Sequence, residues 1–437
     1  MNKWIRSFFL FTIVALFAVG CSSEGASSDS GDSSGSGDSD KSGESAQSEE
    51  QVTLSLYSTV TNESDKETLD NVIAKFEKEN PDIDIDQTYP ASEYESQLRV
   101  KMAANDMPDL FDTHGWSKLR YGEYVADLSD MDWVQYLDPS LKQIFTDEEG
   151  KVYAYPLNQA KDGLTYNKNV LDKYGIEPPK TFDEFMTALE TIKEESNGEI
   201  VPFWFAGSNK SALGQFFDQF ATPLLITDPD NDYSEELLDG SFDWSNYTFL
   251  PEKLLEMQEN GLLNVDLLTA QSYEQNQLFA QDKIAFVMAT TPIGGVKELN
   301  PEAELGVMPM PAIREGGEQT WIGGERHTMA VWKDTKYPEE SRKFIEFLAQ
   351  PEIVKEVAEG TSLPAGLTNA EADVYYGPYY SQYSDVKVEP YFDRVFLPSG
   401  MWDVMGGTGQ ELLSGSMTPE QVSKKMGEEY TRLRESN

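Results

Sequence analysis

Two histidines, His114 and His327, and one cysteine, Cys21, are all the imidazole and thiol that the 437 residues contain. A catalytic zinc needs several nitrogen or sulfur ligands, and a nucleophile–His–carboxylate relay needs a histidine placed beside its nucleophile. Both chemistries are therefore disfavoured. A single thiol excludes an intramolecular disulfide and a cysteine-cluster metal site. Carboxylates, by contrast, are everywhere: 77 Asp and Glu against 34 Lys and Arg, a net charge of −43. A pair suited to glycoside hydrolysis could be picked out in many places, so its presence carries no information. One acidic run has ligand spacing, with Asp228, Asp230, Asp232, Ser234, Glu236 and Asp239 at the oxygen positions of a calcium loop. Tyr233 stands where that loop needs glycine, and Asp239 where it needs glutamate. The run reads as an acidic surface loop. The same charge excludes a nucleic-acid binder, which needs clustered Lys and Arg. No motif calls for a cofactor.

The lone cysteine has a context. Lys3 and Arg6 precede an apolar run from Phe8 to Val19, too short to span a bilayer comfortably but right for a secretory signal over residues 1–20. The run ends at Ala18-Val19-Gly20-Cys21, which resembles the lipobox of bacterial lipoproteins, where cleavage precedes a cysteine that is then diacylated. Ala18 stands where leucine is usual. Residues 22–50 hold twelve Ser, five Gly and eight acids, with no aromatic or branched aliphatic side chain. Such a segment cannot bury enough apolar surface to offset its ordering entropy and reads as a disordered tether. The expected mature chain is anchored by lipid at Cys21, outside the cytoplasm, without spanning the membrane. The acidity then belongs to residues 51–437, as a solvated surface spread along the chain.

Those residues are enough for two or three domains. Val52, Leu54 and Leu56 alternate with polar residues as a first strand does. Leu69, Val72, Ile73 and Phe76 have the spacing of a helix over 65–79, which Asn80-Pro81 ends. Ile83–Asp86 reads as a second strand, Tyr94–Ala104 as a helix and Pro108–Phe111 as a third strand. Strands alternating with helical crossovers predict an α/β fold with a parallel sheet. Ligands bind such sheets beyond the carboxyl ends of the strands, which nominates two loops, Thr59–Asn62 and Asp112–Trp116. Further on, Thr181 before Asp183 and Glu184 is a helix N-cap with acids in the first turn.

Several blocks occur in a telling order: AKFEKENPDIDI, MAANDMPDLFDTHGW, VYAYPLNQAKDGLTYNKNVLDKYGIEPPKTFDEF, FAQDKIAFVMATTPIGG, LGVMPMPA, GGERHTMAVWKDTKYPEESRKFIEFL and LPAG. Together they resemble the extracellular solute-binding proteins of ABC importers, in the sugar-binding group that includes maltose-binding protein. The resemblance implies a periplasmic-binding-protein-like fold, two α/β lobes with an interlobe hinge and a ligand cleft. It places lobe one at 51–158 plus 291–322 and lobe two at 159–290 plus 323–437. Chain crossings are expected near Asn158–Gly163, Thr290–Gly294 and Ile322–Gly324. It also implies a monomeric carrier, not an enzyme, that hands a carbohydrate to permease subunits served by a separate ATPase. A polyamine carrier, a surface glycan adhesin and a glycosidase are the competing readings.

A sugar offers apolar C–H faces and a rim of hydroxyls, so aromatic planes beside Asp, Glu, Asn, Gln or Arg suit it. On the resemblance, the aromatic candidates are Trp116, Trp204, Trp321 and Trp402. Trp332 sits on an alternating strand and belongs to the core, and Trp133 and Trp244 read as packing. The polar candidates are Asn62, Asp112, Gln159, Asp162, Thr291, Glu325 and Arg326. His114 joins them as a hydrogen-bonding loop residue without a ligand cluster around it. Metal binding is not expected.

Overall fold

Asn62 ends the loop after the first strand and begins the first helix. Its side chain accepts a hydrogen bond from the Asp65 N–H at 2.9 Å and donates to the Asp65 carboxylate at 2.7 Å, a reciprocal cap on the first turn. The computed structural model describes residues 51–90, 93–118 and 120–435. The signal, Cys21 and the tether lie outside the described residues.

Five strands form the first sheet. β1 (Val52–Tyr57) is followed by the helix Glu63–Glu79, then β2 (Ile83–Thr88), the helix Tyr94–Ala104 and β3 (Leu110–Phe111). β4 (Tyr155–Pro156) completes the first pass. The helix Glu63–Glu79 buries Leu69, Val72, Ile73 and Phe76, the residues its spacing predicts. At about 1.5–3 kcal/mol for each buried side chain, this face decides where the helix sits. β5 (Gln159–Asp162) leads out of the lobe.

A second sheet is built from β6 (Leu164–Asn167), β7 (Val201–Phe203), β8 (Ile284–Met288) and β9 (Leu305–Met308), in the order β7-β8-β6-β9. Thr181 caps the helix Phe182–Glu195, accepting from the Glu184 N–H at 3.2 Å. That helix, β7 and the long helix Lys210–Leu225 share a core of edge-on rings in which Phe185 meets Phe203 at 5.3 Å and Phe286 at 5.3 Å. The chain then returns through β10 (Trp321–Glu325) to β11 (Thr328–Val331) and the helices Pro338–Leu348 and Pro351–Thr361. β12 (Val388–Pro390) follows. β5, β10 and β12 form a third, three-stranded sheet in the order β12-β10-β5, with β10 antiparallel to β5 and parallel to β12. Two strands running in opposite directions between the lobes are the crossing expected near 158–163 and 322–324.

The lobes divide the chain differently from expectation. β9 pairs antiparallel with β6, so 291–322 belongs to lobe two and the chain does not cross at Thr290–Gly294. The four residues of β9 are apolar or glycine and all buried, and only the second sheet offers them a partner. β11 pairs with β3 and β4 in the first sheet, order β2-β1-β3-β11-β4, which draws residues 328–367 back into lobe one. The last passage to lobe two lies between Leu367, in the first core, and Tyr376, in the second lobe's core. The first sheet is also mixed rather than wholly parallel: β1 runs parallel to β2 and β3, but β11 runs against β3 and β4.

The acidic run 228–239 is half helix. Ser234–Asp239 is helical, so the later calcium positions lie on a helix rather than a loop. Asp228 accepts from the Asp230 N–H at 2.9 Å and faces Arg314 at 3.5 Å. Among the described residues no group of three or more His, Cys, Asp or Glu could hold a metal.

Candidate functional site

Where the lobes meet, the N-terminal turn of the helix Glu63–Glu79, the crossing strands and the segment after β8 line a pocket of about 40 Å³. Asn62 and Asp65 enter from lobe one, Asp162 and Arg326 from the crossings, and Thr290 and Thr291 from lobe two. A hydrogen-bond net fixes the walls. Asp162 accepts from the Tyr391 hydroxyl at 2.6 Å and from the Thr290 N–H at 3.2 Å. The Thr291 N–H donates to Thr165 Oγ1 at 2.9 Å, and the Thr291 carbonyl accepts from the Tyr376 hydroxyl at 2.7 Å. Ala289, just before this turn, has φ +60°, strained for a residue with a side chain.

Arg326 is the exception in this net. Its backbone N–H donates to the Asn158 carbonyl at 3.2 Å, but no side-chain hydrogen bond or ion pair engages its guanidinium among the described residues. It is half-buried in a pocket that also holds Asp65 and Asp162. Five unengaged donors there are suited to the hydroxyl oxygens of a ligand.

A second and larger pocket, about 230 Å³, opens on lobe two. Trp204 follows β7, Asn209 and Ser211 begin the helix Lys210–Leu225, and Trp402 begins the helix Met401–Leu413. The Trp402 indole donates to Ser211 Oγ at 3.3 Å, and its ring lies 3.5 Å from where a side chain on Gly214 would begin. Gln275, also in this wall, donates to Thr291 Oγ1 at 2.9 Å. That bond joins the two pockets into one lining.

The loop at the end of β3 behaves differently from expectation. Asp112 is buried, and accepts from Thr59, from the Thr328 N–H at 3.1 Å, the Thr328 hydroxyl at 2.7 Å and the His114 N–H at 2.8 Å. Burial alone would raise its pKa. The hydrogen bond and charge of His327, 3.4 Å away, with His114 and Thr59, outweigh burial and hold the carboxyl low, at about 2. His327 is raised in turn, its Asp112 and Asp65 partners overcoming its burial. Asp112 is thus an internal anchor for the loop, with its oxygens occupied. His114 has φ +43°, and burial, with Arg394 nearby, depresses its pKa to about 3, so it stands neutral as a hydrogen-bonding group. Trp116 is half-buried, its ring 4.4 Å from the Arg120 guanidinium.

Three further expected contacts point elsewhere. Gln159 is buried and donates to the Ala365 carbonyl at 2.7 Å and to Asp138 at 3.3 Å, tying β5 to lobe one. Trp321 is 1% exposed and meets Tyr380 edge-on at 5.4 Å and Tyr383 at 5.9 Å, so it is core behind the crossing. Glu325 is buried and ion-paired with Arg394, not with its neighbour Arg326. The structure therefore gathers Asn62, Asp162, Thr291 and Arg326 in one pocket and Trp204 and Trp402 in the other. Asp112, Gln159, Trp321 and Glu325 are internal. Sequence reasoning missed Asp65, Ser211, Gln275 and Tyr376. Only Asp65 carried a signal, as the acid three residues after the cap Asn62.

Two α/β lobes on crossing strands, with a polar and an aromatic pocket between and beside them, define a ligand-capturing binding protein. Residues 61–355 match the bacterial extracellular solute-binding protein family, and the chain belongs to it. It is 50% identical over 434 residues to the melibiose/raffinose/stachyose-binding protein MelE of Bacillus subtilis, covering 99% of this chain and 97% of that one. A sugar transporter of Bacillus licheniformis, solved in complex with stachyose, is 61% identical with a TM-score of 0.83, over 87% of this chain and 100% of that one. A binding protein of Bacillus subtilis in an open conformation is 54% identical with a TM-score of 0.84, over 89% and 98%. Membership makes the chain an extracytoplasmic solute-binding component of a transporter rather than an enzyme.

Proposed function

We propose that the protein captures an oligosaccharide of the melibiose–raffinose–stachyose series and delivers it to the permease of an ABC importer. The observation that carries this reading is the continuous lining: an aromatic pocket with Trp204 and Trp402, bonded through Gln275 and Thr291 to a polar pocket with Asp162 and Arg326. In the second pocket the half-buried Trp402 supplies a ring face for stacking, backed by the buried Trp204, and the first pocket supplies charged and hydroxyl groups for a hydroxyl rim. Relatives named for binding these sugars support the choice of series. The cation of Arg326, beside the Asp162 and Asp65 carboxylates, disfavours a polyamine, which would need carboxylates without a competing guanidinium.

Ligand contacts made from both lobes would favour the closed arrangement, which is the form offered to the permease. The carrier is anchored by lipid at Cys21. A thermal-shift screen tests the assignment: stachyose and raffinose at a hundred times Kd should stabilise the fold by about 2.7 kcal/mol, while spermidine leaves the midpoint unchanged. Stabilisation by spermidine alone would reject it. The anchor is tested separately, since Cys21→Ala should release the protein from cells into the medium.

A further inference from the structure

We propose that Arg120 is a positioning residue of the binding site, holding the plane of Trp116 and, through Ser399, the turn that carries Trp402. The inference rests on the reading of Trp402 as a wall of the second pocket and on the sequence expectation that Trp116, which lines neither described pocket, meets ligand. Its geometry does not depend on which ligand they take.

One guanidinium makes all the contacts. Its carbon lies 4.4 Å from the Trp116 ring centroid and 5.9 Å from that of Tyr121. Nη1 pairs with Glu95, whose carboxylate also accepts from the Tyr121 hydroxyl at 3.1 Å. Nη2 donates to Ser399 Oγ at 2.8 Å. A guanidinium can do this because its donors lie in its plane while its face remains free to stack, and a lysine ammonium cannot do both. The Arg120 N–H also donates to the Trp116 carbonyl at 3.0 Å, so platform and support belong to one turn of chain.

The partners lie in different lobes. Trp116, Tyr121 and Glu95 belong to the lobe-one segments, whereas Ser399 lies between the helices Phe392–Phe396 and Met401–Leu413 of lobe two. Gly400 follows with φ +104°, a conformation that favours glycine, and Trp402 comes two residues later. The Trp402 indole N–H in turn donates to Ser211 Oγ at 3.3 Å, so the start of this helix is held from the lobe-two side as well. The lobe-one loop is seated against the same segment, because a side chain at Gly115 would overlap Glu325 and Arg394. Moving Arg120 therefore moves the support of the Trp116 ring directly and the turn that precedes Trp402 through Ser399.

Indole N–H resonances of the full chain read this directly, assigned with Trp116→Phe and Trp402→Phe. Arg120→Lys is expected to shift both the Trp116 and the Trp402 signals. Ser399→Ala is expected to shift Trp402 and leave Trp116 in place. Calorimetry with stachyose should show affinity falling about tenfold for Arg120→Lys and about threefold for Ser399→Ala, with melting midpoints close to that of the parent. In a Trp402→Ala background the Ser399→Ala loss should disappear. An unmoved Trp402 signal in both variants overturns the inference, as does unchanged stachyose affinity in both when the parent binds. A general shift of all indoles with a large fall in midpoint would also overturn it, since that marks a merely structural arginine. Failure of the parent to bind any oligosaccharide rejects the sugar reading, and the indole shifts still decide the positioning role.

Discussion

Gln275 and Thr291 line different pockets, and a 2.9 Å hydrogen bond from the Gln275 amide to Thr291 Oγ1 connects them. The bond sets the spacing between the aromatic wall and the polar one. Gln275→Ala should weaken oligosaccharide binding about 2- to 12-fold, the worth of one such bond, and leave the unfolding midpoint nearly unchanged. Titration calorimetry beside thermal melts checks it. Unaltered affinity would mean the two pockets do not share a ligand.

Two tryptophans should separate binding from stability. Trp402 is half-buried in a pocket wall, whereas Trp321 is buried against Tyr380 and Tyr383. Trp402→Ala should cost at least tenfold in affinity. Trp321→Ala should cost about 3–5 kcal/mol of folding stability, as large-to-small core changes do. Urea unfolding and calorimetry on both variants give four numbers. A reversed pattern would exchange their roles.

Asp112→Asn addresses the anchor beneath the β3 loop. The ionised carboxyl is preferred in the folded state, its pKa held at about 2 by His327 and its other partners against burial. The stabilisation is present above the unfolded carboxyl value, near pH 4, and is lost as pH falls through about 2. Removing the charge leaves His327 without its nearer carboxylate, so Asp112→Asn should cost about 3–5 kcal/mol at pH 7. Urea unfolding at pH 7 and pH 3 should show the gap between parent and variant narrowing at the lower pH. Equal gaps would contradict the assignment.

Asp218 should tilt stability the other way. It is fully buried on the helix Lys210–Leu225 and accepts the Asp393 N–H at 2.7 Å. Burial and the Asp393 charge raise its pKa to about 8, and burial raises Asp393 to about 6. The folded state keeps a proton that the unfolded chain releases near pH 4, so this contribution declines as pH rises from about 4 to about 8. Melting midpoints at pH 5 to 9 should fall less steeply in Asp218→Asn than in the parent. Identical slopes would show that Asp218 is ionised when folded.

How much of this was legible in the sequence follows the range of the interactions. The helix Glu63–Glu79 was readable because Leu69, Val72, Ile73 and Phe76 and the stop at Asn80-Pro81 are local signals. The division into lobes was not, because whether Leu305–Met308 pairs with β6 or with the first sheet is decided by residues about 140 positions away. The site divides in the same manner. Asn62, Asp162, Thr291 and Arg326 stood at predicted crossings or strand ends, and the pocket does form there. Asp112, Gln159 and Glu325 stood there too, but each side chain found an internal partner that only the folded chain supplies. Polar residue types near a cleft do not reveal which of them are already engaged.

The central claim is that the linked pockets take an oligosaccharide of several units. Isothermal titration of the purified globule, residues 51–437, with stachyose, raffinose, melibiose and a maltose-series tetrasaccharide tests it most directly. One-to-one binding of stachyose and raffinose is expected, with weaker binding of melibiose and at least tenfold weaker binding of the maltose-series sugar. Equal affinity for all four, or heat only from the maltose series, would contradict it.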